Sequence, residues 1–144
     1  MDVADRGAER VLSAAAHGAI AFGLFGITFL MSLVVTGVIW LYSRRSPRVR
    51  FHAEQAGCYQ CLVILVNLVL VAITGASWGF AIFKLFQGDR EWASSLGTGG
   101  LVGLVLFAAW FLASILYGVY AAILVLLGRE FKYPIIGDRF KRET

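Results

Sequence analysis

The chain has 144 residues, of which 59% are apolar and only 15% charged, and its mean hydropathy is +0.76. A soluble globular domain carries about 25% charge, so this composition points to a membrane protein with no room for a separate soluble domain. The net charge of +4 does not mark a nucleic-acid binder, because the basic residues flank long apolar stretches, where the positive-inside bias accounts for them.

Residues 11–43, 55–83 and 92–128 contain no Asp, Glu, Lys or Arg. Crossing a bilayer by helix takes roughly 20 apolar residues, and each stretch meets that length. The expected fold is therefore an all-α polytopic membrane helix bundle of three to four helices, a single membrane domain over residues 1–144.

Asp2, Asp5 and Glu9 offset Arg6 and Arg10 before the first stretch, so the segment lacks the basic start of a secretory signal. The stretch is expected to be retained. It leaves two readings open: one long tilted helix, or a hairpin of two short helices joined near residues 23–26. Placing Arg44, Arg45, Arg48 and Arg50 on the same side as Arg129, Lys132, Arg139, Lys141 and Arg142 puts nine basic residues in the cytoplasm. Lys84 and Arg90 then lie opposite. A hairpin adds Arg6 and Arg10 to the cytoplasmic side, so the charge rule favours it; the lack of a polar turn between Ala19 and Thr28 argues the other way.

Ser46-Pro47 reads as a helix start, with Ser as cap and Pro in the first turn. The apolar pattern then continues to about Phe86. That is ~40 residues, or ~60 Å at 1.5 Å per residue, against a hydrocarbon core of ~30 Å. Residues 47–56 should thus lie in the headgroup region and residues 57–86 should span, with Gly75, Gly79 or Gly88 bending or ending the helix. Residues 94–100, rich in Ser and Gly, read as a loop, which places the last span at 101–127 and a basic, aromatic cytoplasmic tail at 129–144.

Helices in lipid associate through small residues and interhelical polar groups. The candidates are Ala15/Ala19/Gly23, Ala72/Ala76, Gly75/Gly79 and Ser114/Gly118/Ala122. Asn67, Gln60, Tyr117 and Tyr120 are expected to face the interior, with Asn67 bridging helices. No ionisable residue lies mid-span in the last two stretches, which argues against an ion-coupled pump. Cys58 and Cys61 form half of a four-ligand metal site with no second pair, so they read as small buried packing residues, and no metal site is expected. His17 and His52 are weak candidates for haem or chlorophyll ligation, since a lone His per helix more often packs and hydrogen-bonds. No nucleophile–base pair or phosphate loop stands out, so no catalytic residue and no resident cofactor are expected. Arg48, Arg50, Phe51 and His52, with Phe131, Lys132 and Tyr133, mix basic and aromatic character and are expected to contact lipid headgroups or a partner.

The stretch Ser46-Pro47-Arg48-Val49-Arg50-Phe51-His52-Ala53-Glu54-Gln55-Ala56, preceded by Trp40-Leu41, resembles the DUF4870 family of Tic20-like small membrane proteins. Ala16-His17 and the segment from Gly128 to Tyr133-Pro134 match two further landmarks of that family; Gly57-Cys58-Tyr59 departs from it. The resemblance implies four helices with both ends on one side, favouring the hairpin, and a possible link to protein translocation. The leading functional expectation is a non-enzymatic accessory or structural subunit of a larger membrane assembly, contacting lipids and other membrane subunits. Its expected place is a bacterial inner membrane. A translocation component and a pigment- or haem-binding subunit are the alternatives.

Overall fold

The computed structural model describes residues 3–25, 29–43, 46–134 and 136. These form α1 (Val3–Gly18), a 3-10 helix (Ala19–Phe25), α2 (Phe29–Tyr42), α3 (Pro47–Phe86) and α4 (Arg90–Leu126), with no strand among the described residues. The described residues are thus all-α, with four α-helices. Gly26, Arg44, Arg45, Ile135, Arg139, Phe140, Lys141 and Arg142, which the charge and tail readings also used, lie outside the described residues. The helices gather into two compact units, Met1–Leu62 with Ser114–Thr144, and Val63–Ala113.

In the first unit the long apolar stretch is split into α1 and α2, the hairpin rather than the single helix. The Thr36 hydroxyl of α2 lies 3.2 Å from the Ala16 carbonyl of α1 and 3.1 Å from Gln60 Oε1. Gln60 Nε2 donates to the same carbonyl at 3.2 Å. The Ala16 carbonyl is therefore supplied from outside its own helix, and the winding changes from α to 3-10 just beyond it without leaving a buried acceptor unpaired. Small side chains allow this approach: Ala16, Ala53 and Ala56 form one buried cluster with Ile39 against it.

The start of α3 is capped as expected. The Val49 N–H donates to Ser46 Oγ at 3.4 Å, and the Ser46 hydroxyl donates to Glu9 Oε1 at 2.6 Å, tying the α3 cap to α1. The helix runs unbroken through Gly75 and Gly79 and ends at Gly88, whose φ of 80° suits a residue without Cβ. Gly88 N–H donates to Leu85 O and Asp89 N–H to Lys84 O, the paired bonds of a Schellman stop. Gly128 (φ 78°) repeats the pattern after α4, with bonds from Gly128 to Val125 and from Arg129 to Leu124.

In the second unit, α4 starts at Arg90 rather than 101, so residues 94–100 are helix and not the expected loop. Asp89 caps it, its Oδ1 accepting the Trp92 N–H at 3.2 Å. The glycines of this segment serve close packing instead of a turn. A Cβ on Gly100 would overlap the Trp78 ring, and one on Gly103 would sit 2.6 Å from Thr74 Oγ1. Where no water is available to pair a broken backbone, a Gly-rich stretch stays helical.

In α3 and α4 only 28% and 17% of the most apolar stretch is buried within the chain. The core helix of a soluble protein would be mostly covered. Leu65, Leu68, Ile73, Phe80, Ile82, Leu101, Val105 and Leu116 all point outward, the surface that lipid covers.

Candidate functional site

The polar centre of the first unit is built from three helices and the segment that follows α4. Beyond Gly128, residues 129–133 leave the helix in a non-helical course. Phe131 and Tyr133 are buried while Lys132 and Pro134 are exposed.

Tyr133 meets all three helices. Its hydroxyl lies 3.1 Å from His17 Nδ1 of α1, and its backbone N–H donates to Gln55 Oε1 of α3 at 3.3 Å. Its ring stacks on Tyr59 of α3 with centroids 4.3 Å apart and planes at 13°. Tyr117 of α4 closes the other side edge-on at 5.7 Å. The other ring nitrogen of His17, Nε2, lies 3.2 Å from His52 Nδ1, so His17 stands at the middle of a Tyr133–His17–His52 chain. Tyr59 donates to the Ser114 carbonyl at 3.0 Å. Phe131 packs edge-on against His17, Tyr117 and Tyr133.

His17, His52 and Gln55 are essentially inaccessible, at 1%, 0% and 0% exposure. A buried polar group is tolerated only when paired, and most of this cluster is. Gln55 Nε2 has no hydrogen-bond partner among the described residues. Burial, reinforced by the neighbouring Tyr59 and Tyr117 hydroxyls, pushes the Tyr133 phenol well above its ordinary value of 10.0.

Phe51, His52, Phe131 and Tyr133 are therefore not the lipid- or partner-facing residues expected of them; they are buried in the chain's own core. Mixed basic and aromatic sequence looks the same whether its aromatics face outward or inward, and only the fold separates the two. Arg50 and Lys132 do lie at the surface and Arg48 is half-buried. Arg50 pairs with Glu54 at 2.9 Å and lies over the Trp40 ring at 5.6 Å, while the Trp40 indole N–H donates to Glu54 at 3.0 Å. Both nitrogens of His17 are engaged, so His17 reads as part of a hydrogen-bonded core rather than a haem or chlorophyll ligand.

The packing residues divide similarly. Gly118 lies under Ile20, where a Cβ would overlap the Ile20 methyl and come 3.4 Å from the His17 carbonyl. Ser114 is buried beside Tyr59. Gly75 and Gly79 have nothing within 4 Å of a Cβ position, and Ala15, Ala72 and Ala76 are exposed. Asn67 is 7% exposed, yet neither amide atom is paired among the described residues, so the expected helix bridge does not form. Tyr120 faces outward, as do Cys58 and Cys61, which were expected to be buried. Sequence reasoning gave no pairing role to Thr36, Gln55 or Tyr59. The contacts they make span 20 to 78 residues of chain, and no local pattern signals them.

Long helices with outward apolar faces define a polytopic membrane protein. Residues 8–140 match the model of the MamF/MmsF family, the magnetosome magnetite crystal formation protein family. The chain belongs to that family. This corrects the resemblance to the DUF4870, Tic20-like proteins: the shared landmarks are mostly buried packing residues, which report architecture, whereas the family match runs over nearly the whole chain. Neither the curated proteins nor the solved structures provide a match.

Proposed function

We propose that this protein is a non-enzymatic accessory component of the magnetosome membrane that supports magnetite crystal formation, acting through contacts with lipid and other membrane proteins. The observation that carries this reading is the family match over residues 8–140. Two further features support it. Almost the whole described chain is committed to helices whose outer faces are apolar. The polar groups of the first unit are largely turned on one another, which suits a structural role better than turnover of a substrate.

The basic segment around Arg48 and Arg50 and the segment from Arg129 onward take the cytoplasmic side in this reading, by the positive-inside bias. Deleting the gene in a magnetite-forming bacterium is the direct test. Smaller or misshapen crystals, restored by the wild-type gene, are the expected outcome; crystals of unchanged size and shape would reject the proposal. Purification in mild detergent tests the accessory role: a partner protein should co-purify, and a lone monomer with none would count against it.

A further inference from the structure

The two arms of the N-terminal hairpin are short for a bilayer. α2 has 14 residues, a length at which an apolar helix is more often re-entrant or interfacial than spanning. Among the described helices only α3 and α4 are long and apolar enough to cross. The outer end of α2 is held at headgroup level. The Trp40 indole N–H donates to Glu54, and Arg50 both pairs with Glu54 and lies over the Trp40 ring. Charged groups of this kind stay in the polar zone. From Trp40 back to its start at Phe29, α2 descends about 16 Å at ~1.5 Å per residue. That is about half of a hydrocarbon core of ~30 Å.

The other arm starts from the same polar zone. Arg10 is its last charged residue, and Glu9 is tied to Ser46 at the α3 cap. Beyond Arg10, α1 and the 3-10 helix add at most about 26 Å, at ~1.5 and ~2.0 Å per residue. Nothing at the inner end of the hairpin is built for water. Apart from Thr28, residues 19–31 are apolar or Gly, and Phe22, Leu30 and Met31 point outward. The turn between α3 and α4, by contrast, reads Gln87-Gly88-Asp89-Arg90. A change of winding at membrane depth needs partners from within the protein, and the Ala16 carbonyl is met by Thr36 and Gln60.

We propose that α1, the 3-10 helix and α2 form a re-entrant hairpin confined to the leaflet on the Arg50 side, and that the lipid partner it fits is a bilayer bulging toward that side. That leaflet then holds both arms together with α3 and α4, while the leaflet at the Gln87–Arg90 turn holds α3 and α4 alone. Each helix is ~10 Å across, so the arms expand one leaflet and not the other, and curvature relieves the difference. Amphipathic helices that insert into one face of a membrane are curvature-sensitive for the same reason. The proposal uses helix lengths and the placement of charge, and does not depend on the magnetosome reading.

Depth is tested on the full chain with Cys58→Ser and Cys61→Ser, reconstituted in vesicles of phosphatidylcholine and phosphatidylglycerol. Spin labels on Leu30→Cys, and separately on Phe22→Cys, should be reached by oxygen and shielded from a water-soluble nickel chelate. A label on Gln87→Cys should show the reverse. A position-30 label that the chelate reaches as readily as position 87 means that the hairpin spans, and overturns the proposal.

Curvature is tested by drawing thin membrane tubes from giant vesicles of the same lipids. A membrane-impermeant dye added outside to a single Lys132→Cys marks only the molecules with the Arg50 side outward. These should be enriched several-fold on the tube over the flat membrane. Molecules marked instead through a single Gln87→Cys carry the opposite orientation and should be depleted. Equal densities on tube and flat membrane for both orientations refute the preference for a curved bilayer.

Discussion

At the scale of single residues, His17 holds the first unit together because both its ring nitrogens are used, one by Tyr133 and one by His52. His17→Ala leaves a buried hydroxyl and a buried imidazole nitrogen unpaired, which costs about 1–3 kcal/mol by the desolvation of orphaned groups. Denaturant titration in micelles should show this loss, and His17→Gln should recover part of it. Gly118→Leu should destabilise by about 1–3 kcal/mol through overpacking, because Ile20 and the His17 carbonyl already fill the space a side chain needs. Gly75→Ala, with nothing near its Cβ position, should change stability by a few tenths at most. Tyr133 gives a pH dependence of definite sign. Its ionisation is pushed upward by burial, so the unfolded chain releases this proton first. The stabilisation is complete below pH about 10, the ordinary tyrosine value, and is lost as pH rises above it. A tyrosinate absorbance titration should show one late-titrating group that Tyr133→Phe removes.

At the scale of elements, the ends of α3 and α4 carry much of the specification. Both stop at glycines in the left-handed region, where other residues pay about 1–2 kcal/mol. Gly128→Ala should be the worse of the two substitutions, because the Arg10 guanidinium carbon lies 3.0 Å from the Cβ position while Gly88 has open space. The mutated joint should also loosen the packing of residues 131–133 against His17, Gln55 and Tyr59, read as faster proteolysis after residue 129. Ser46→Ala removes both a helix cap and the bond to Glu9; the cap alone is worth about 1 kcal/mol. The start and stop of α3 were legible in Ser46-Pro47 and in Gly88, because capping is local chemistry. The start of α4 was not legible. Residues 94–100 carry the composition of a loop, and only their tight contacts in the second unit, Gly100 under Trp78 and Gly103 against Thr74, explain why small residues are there.

At the scale of the whole molecule, α3 and α4 have 40 and 37 residues, about 60 and 55 Å at 1.5 Å per residue. Both exceed a hydrocarbon core of ~30 Å, so they tilt or carry turns into the headgroup region. The chain should partition with membranes and resist extraction by alkaline carbonate; recovery in the soluble fraction would contradict the bundle. Orientation is testable with the two native thiols removed and single cysteines introduced at Arg50 and at Gln87. A membrane-impermeant reagent applied to intact cells should spare position 50 and label position 87 where that face lies outside the cytoplasm.

The sequence by itself determined the membrane class, the helical fold and both ends of α3, because hydropathy and capping act over a few residues. It also supplied the residues of the central cluster, as three separate landmarks: Ala16-His17, Phe51-His52-Ala53 and Tyr133-Pro134. Only the tertiary structure decided that these landmarks meet. Their partners lie 35 and 116 residues apart, and a polar or aromatic residue reads alike in sequence whether it faces a headgroup or the Gln55 amide. Inward or outward placement is settled by which helices come into contact, and that depends on Gly118, Ala16, Ala53 and Ala56 acting together rather than on any one segment.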